Sequence, residues 1–198
     1  MKYQRKDAHY RRAKAEGFRA RSAYKLVELD NRYKLLRPGN RVADLGAWPG
    51  GWMQIAAERI GPAGCVVGVD LMPIEPLPHR NVESIVGDIR DPAIVPALTA
   101  RLGGRAHVLL SDLAPKLTGV RDADEAQCSE LTGAVLEALP SLLQPEGRAL
   151  VKLFMDPSYS ATVAKFRDVF REVRAARADA SRRGSAELYV VGMGFHSS

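Results

Sequence analysis

Cysteine is scarce in this chain: Cys65 and Cys128 stand far apart, with no C-x-x-C pair and no histidine beside them. That pattern argues against a disulfide framework and against a zinc or other metal site, and it fits a reducing, cytoplasmic setting. Long apolar runs are also missing, so no membrane span is expected. The first residues, Met1-Lys-Tyr-Gln-Arg-Lys6, carry charge with no apolar stretch behind it, which is not the pattern of a secretory signal. There is no internal repeat, no low-complexity linker and no sign of an oligomerisation surface, so a monomer is the default. With 198 residues, 26% charged and 46% apolar, the chain reads as one soluble globular domain over 1–198.

Charge of one sign is plentiful, and unevenly placed. The net charge is +6. Lys2, Arg5, Lys6, Arg11, Arg12, Lys14, Arg19, Arg21, Lys25, Arg32 and Lys34 crowd one segment, opposed by Asp7, Glu16, Glu28 and Asp30. Such an excess is the footprint of a polyphosphate partner, although a solubilising tail would look similar. Tyr3, Tyr10, Phe18 and Tyr24 are interleaved with the charges and could stack on unpaired bases, which tips the reading towards RNA. Residues 1–34 are therefore expected to form a basic, RNA-facing arm and helix, and 35–198 an α/β core.

The periodicity predicts a helix from Ser22 to Leu36, closed by Pro38-Gly39. Strand Arg41–Leu45 runs into the loop Gly46-Ala-Trp-Pro-Gly-Gly51, and a helix follows from about Trp52 to Ile60. Further strands are predicted at Cys65–Asp70, Val82–Val86, His107–Asp112, Arg148–Phe154 and Leu188–Met193. Helices are predicted near Pro92–Leu102, Glu125–Leu143 and Tyr159–Phe170. Alternation of this kind points to an α/β fold around a mostly parallel sheet. In such sheets the ligand lies at the carboxyl ends of the strands, where Asp44, Asp70, Asp88 and Asp112 all fall.

The glycine-rich loop offers close backbone approach and free N–H donors at a helix start. The G-x-G-x-x-G spacing of dinucleotide sites is missing and Pro49 interrupts the loop, which disfavours a nicotinamide dehydrogenase. An amino-acid end group suits it better, with N–H donors for a carboxylate and Asp44 near an ammonium; S-adenosylmethionine (SAM) carries both. Asp70, ending the second strand, stands where such folds hold ribose hydroxyls, and Asp88 could accept from an adenine amino group. A glycine turn with capping acids is the plain alternative.

Lys152 interrupts the apolar strand Ala149-Leu-Val-Lys-Leu-Phe154, where an unpaired charge is expensive. A snorkelling lysine would give the same pattern. Lys25 on its basic helix, Asp112 at a sharp strand end and Glu187 beside the last strand are weaker signals taken singly. A lysine can accept a proton from a poor hydroxyl nucleophile only when its ammonium is partly discharged, as burial and a second cation would promote.

Together the segments Ala20-Arg-Ser-Ala-Tyr-Lys-Leu26, Asp44–Trp52, Ser111-Asp-Leu-Ala-Pro115, Val151-Lys-Leu-Phe154 and Glu187-Leu-Tyr-Val190 resemble the FtsJ-type ribosomal RNA 2′-O-methyltransferases, from about Asp7 to Gly194. The resemblance implies a Rossmann-like, seven-stranded SAM-dependent methyltransferase sheet, six strands parallel and one antiparallel. It implies a catalytic tetrad of Lys25, Asp112, Lys152 and Glu187, with Lys152 as proton acceptor. It implies SAM contacts at Gly50, Trp52, Asp70, Asp88 and Asp112, with S-adenosyl-L-homocysteine as product. The substrate implied is a uridine in the peptidyl-transferase region of large-subunit rRNA, within the ribosomal subunit. The same chemistry on tRNA or an mRNA cap, or a role as an RNA-binding ribosome assembly factor, are the alternatives. Two positions depart from the family: Trp48 stands where its loop usually has a small residue, and Lys116 replaces a common Asn. The first bears on the shape of the cofactor pocket; the second adds positive charge on the substrate side.

Overall fold

Alternate residues along the inner strands are buried on opposite faces, as a sheet covered on both sides requires. In β1 (Arg41–Leu45), Val42 enters one core while Ala43 and Leu45 enter the other; in β5 (Leu143–Phe154), Leu150 parts in the same way from Ala149, Val151 and Leu153. The computed structural model describes residues 17–115, 118–180 and 187–196. The arm residues before 17, Arg11 and Arg12 among them, and Lys116 lie outside the described residues.

The remaining elements are α1 (Ala23–Tyr33), α2 (Gly51–Ile60), β2 (Cys65–Asp70), β3 (Val82–Val86), α3 (Ile94–Leu102), β4 (Ala106–Ser111), α4 (Arg121–Leu142), α5 (Tyr159–Val169), β6 (Phe170–Ala176) and β7 (Glu187–Phe195). They build a seven-stranded sheet in the order β3-β2-β1-β4-β5-β7-β6. Its left half pairs in parallel throughout, while β7 runs antiparallel to both β5 and β6. The strand order reverses between β1 and β4, the switch point at which open α/β sheets carry their ligand.

Helices α1 and α2 cover one face; Ala23, Leu26, Leu29, Met53 and Ile55 pack there against Val42, Val108 and Leu150. Helices α3, α4 and α5 cover the other, with Leu98, Leu139 and Phe166 against Val67, Leu109 and Val151. Among the described residues no helix is long and apolar enough to cross a membrane.

The structure differs from the sequence reading at several boundaries. Helix α1 stops at Tyr33, before Leu36, because Lys34 turns left-handed (φ 53°) and donates its N–H to Asp30 O. Helix α4 begins at Arg121, earlier than Glu125, with Asp122 and Asp124 in its first turn, where acids favour the helix dipole. Strand β5 starts at Leu143 and carries the Gln144–Gly147 turn within it as an irregularity opposite Ala106–Val108. Strand β6, absent from the residue pattern, is an edge strand whose Arg171, Glu172 and Arg174 are exposed.

Candidate active site

Strand parity assembles the catalytic candidates. Asp112 follows β4 in phase with Leu110, Lys152 is in phase with Leu150, and Tyr189 lies opposite Lys152 across the β5–β7 ladder. All three therefore project from the face that α1 and α2 cover. Glu187, two residues before Tyr189, is on the same face, and Lys25 reaches it from α1.

The resulting contacts are close. Lys152 Nζ donates to Asp112 O at 2.7 Å and lies 3.1 Å from Asp112 Oδ1. Lys25 Nζ lies 2.7 Å from Glu187 Oε2. Both lysines are buried, at 4% and 8% exposure, so each cation needs its carboxylate. Lys25, which a basic helix alone would leave in water, is thus part of the interior.

Tyr189 joins the two pairs, and the sequence reading missed it. Its hydroxyl donates to Asp112 Oδ1 at 3.1 Å, and Lys25 Nζ sits 5.7 Å from its ring centroid. Burial, with the Asp112 and Glu187 carboxylates adding, pushes the phenol far above its ordinary range, so it stays a donor. The signal was available: alternation along β7 puts residues 187 and 189 on one face.

Beside this cluster a cleft of about 460 Å³ opens at the carboxyl ends of β1, β2 and β4, lined among others by Trp48, Asp70, Asp88, Asp112 and Leu113. Gly46 must be glycine here: its φ is +76° and a Cβ would lie 3.0 Å from the Leu113 backbone. Asp70 accepts backbone N–H groups from Trp48 and Met72, each at 2.9 Å, which fixes its carboxylate at the wall. Asp44 is wholly buried, and neither carboxylate oxygen has a hydrogen-bond partner among the described residues. Burial first, then Asp112 and Asp70, raise its pKa well above the ordinary carboxylate range.

Three candidates are placed otherwise than a simple ligand list would have them. Asp88 lines the cleft, but Arg90 chelates it, bonding both oxygens and bridging on to Glu130; the bond to Arg90 holds the Asp88 carboxyl below its ordinary range. Trp52 turns away from the cleft: its Nε1–H donates to Ser22 O at 2.8 Å and its ring leans on Tyr189. Gly50 lies beneath Ile74 and Arg19. Arg19 itself, counted above with the basic arm, is committed to the protein. Its guanidinium bonds the carbonyls of Pro49, Glu75 and Pro76, tying the glycine loop to the segment after β2.

The cleft thus presents Asp70, Asp88 and Asp112, with an orphaned Asp44 behind them. A pyrophosphate would meet acids there, whereas a ligand carrying an ammonium and a sulfonium would be attracted. The residues fit SAM, and they disfavour a dinucleotide.

Comparison with known proteins gives the same direction. The family model for FtsJ-like methyltransferases matches residues 18–195. A protein of Syntrophobacter fumaroxidans named ribosomal RNA large subunit methyltransferase E is 43% identical over the full length of both chains, 100% of each. Its namesake in Methanothermobacter thermautotrophicus is 41% identical over 96% of this chain and 90% of its own. Among solved structures, a candidate ribosomal RNA methyltransferase from Plasmodium falciparum superposes with a TM-score of 0.80 at 26% identity, covering 91% of this chain and 100% of that one. Aeropyrum pernix fibrillarin, solved with bound SAM, shares the fold at a TM-score of 0.61 and 17% identity, over 88% of this chain and 75% of its own.

Proposed function

The chain belongs to the FtsJ-like methyltransferase family, and within it we propose that it methylates a ribose 2′-hydroxyl of large-subunit ribosomal RNA, at a uridine of the peptidyl-transferase region. SAM is the cofactor, and Asp70, Asp88 and Asp112 hold it in the cleft, with Gly50 and Trp52 contributing by shaping the loop and the first turn of α2 beside it. The observation that carries this reading is the meeting of two buried lysines and two carboxylates, Lys25–Glu187 and Lys152–Asp112, at the edge of an acid-lined cleft.

A bound SAM supplies a methyl group already activated by its sulfonium. The chain has then to hold a weak nucleophile in line and take its proton. Asp112 bonds Lys152 through both its carbonyl and its carboxylate, so the direction of the amine is fixed; as the neutral amine, its own proton released to solvent beforehand, Lys152 is placed to accept the ribose proton. Lys25, held by Glu187, adds positive charge on the same face and orients the substrate hydroxyl. The basic segment from Lys2 to Lys34, apart from Arg19 and Lys25, which are committed to the protein, contacts RNA phosphates. The names of the relatives support rRNA over tRNA or an mRNA cap, and the intact cluster speaks against a purely structural assembly role.

The test is methyl transfer from labelled SAM to large ribosomal subunits, free rRNA and tRNA, with the modified nucleotide mapped. Label on a ribose of the large-subunit RNA supports the proposal. Label confined to tRNA, or on a base, overturns it.

A further inference from the structure

We infer that the indole of Trp48 forms a wall of the cofactor cleft and packs on the adenosine of SAM; this rests on the placement of SAM in that cleft proposed above. Trp48 is 55% exposed although it lines the cleft, and Leu71 beside it is 65% exposed. Large apolar side chains left open at the mouth of a polar cleft are characteristic of a surface that a ligand covers. The chain's other tryptophan, Trp52, is 3% exposed and bonded to Ser22, so the two indoles have different tasks.

The hydrogen bonds say which part of the ligand meets Trp48. Its backbone N–H donates to Asp70 Oδ2, and the backbone N–H of Met72 to Oδ1. Each oxygen keeps acceptor capacity towards the cleft, as ribose hydroxyls require. A ribose held by Asp70 brings its nucleoside against the residue that orients the same carboxylate. Leu71 and Ile89 supply further apolar wall, and Asp88 a polar edge, which is the surface a purine demands. An RNA base is the poorer occupant, because its phosphate would be drawn in against Asp70 and Asp88.

Titration of the intact protein with S-adenosyl-L-homocysteine tests this, by calorimetry and by tryptophan emission. The wild type is expected to change its emission on binding, and Trp48→Phe to bind with nearly the same Kd but without that change, since only Trp52 then reports. Trp48→Ala should raise the Kd roughly tenfold, the scale of one lost base-on-aromatic contact. Emission unchanged in the wild type while calorimetry records binding, or wild-type affinity in Trp48→Ala, overturns the inference. A rise in KM for RNA in Trp48→Ala with ligand affinity intact also overturns it, assigning the indole to RNA. Asp70→Ala separates the two readings: if it binds as the wild type does, the placement of the cofactor has failed, whereas loss there with Trp48→Ala unaffected rejects Trp48 alone.

Discussion

Lys152 and Tyr189 face each other across the β5–β7 ladder and both bond Asp112, one through its ammonium and the other through its hydroxyl. Asp112 follows a third strand, β4, and its own N–H is held by Leu45 O on β1. Four strands thus converge on one residue, two of them on its carboxylate. The position of the Lys152 amine is set by sheet register rather than by a loop, which is how a site keeps sub-ångström geometry.

Tyr189→Phe keeps the ring under Lys25 and removes one donor from Asp112. A hydrogen bond to a charged acceptor contributes about 1.5–3 kcal/mol. Single-turnover methyl transfer is expected to fall roughly tenfold at saturating SAM, with SAM affinity close to that of the wild type. Full activity in this variant would remove Tyr189 from the positioning network.

Asp44 makes stability depend on pH with a defined sign. Its folded pKa is raised above the unfolded value, so the folded state holds a proton that the unfolded state has released. Stability therefore declines as pH climbs above about 4, by on the order of 1 kcal/mol per pH unit until the folded pKa is reached. Asp44→Asn should melt higher than the wild type near neutral pH, with the gap closing towards pH 4. A gap that is constant with pH would contradict the buried, unpartnered carboxylate.

The arm and Arg19 should separate experimentally. Arg11→Ala with Arg12→Ala is expected to flatten the salt dependence of RNA binding, by up to about 0.9 log units per lost contact if the duplex slope applies. Arg19→Ala should leave that slope alone and instead raise the KM for SAM several-fold, since it releases the tie between the glycine loop and the Glu75–Pro76 segment. An Arg19→Ala variant that loses salt slope and keeps its KM would return Arg19 to the RNA surface.

Much of this was legible in the sequence. Strands β1, β2 and β3 begin and end where apolar runs and turn residues place them, and the family resemblance, not the local pattern, singled out Lys25, Asp112, Lys152 and Glu187, which the fold brings together. Strand β6 was not legible because an edge strand bearing Arg171, Glu172 and Arg174 lacks the apolar run of a buried one. Tyr189 escaped notice because a tyrosine within Leu188-Tyr-Val-Val191 looks like ordinary core; alternation puts it on the face of Glu187, but its bond to Asp112 arises from the β5–β7 register, which no local pattern contains. The capture of Arg19 by the distant carbonyls of Pro49, Glu75 and Pro76 was hidden in the same way, whereas that of Asp88 by Arg90, two residues on, is a local contact. In a strongly basic segment, composition gives the charge of each side chain but not its partner.

The most direct test of the account is methyl transfer to large ribosomal subunits by Lys152→Ala and Lys152→Arg, measured in single turnover with SAM binding and folding checked in parallel. Both variants are expected to fold and to bind SAM, and both to lose methyl transfer by about 10²-fold or more, the usual scale for a positioned acid–base group. Arginine keeps the positive charge beside Asp112 but does not give up a proton in a protein. If Lys152→Arg retains most of the activity, Lys152 is an orienting cation and the proton leaves by another route, which would contradict the proposed chemistry.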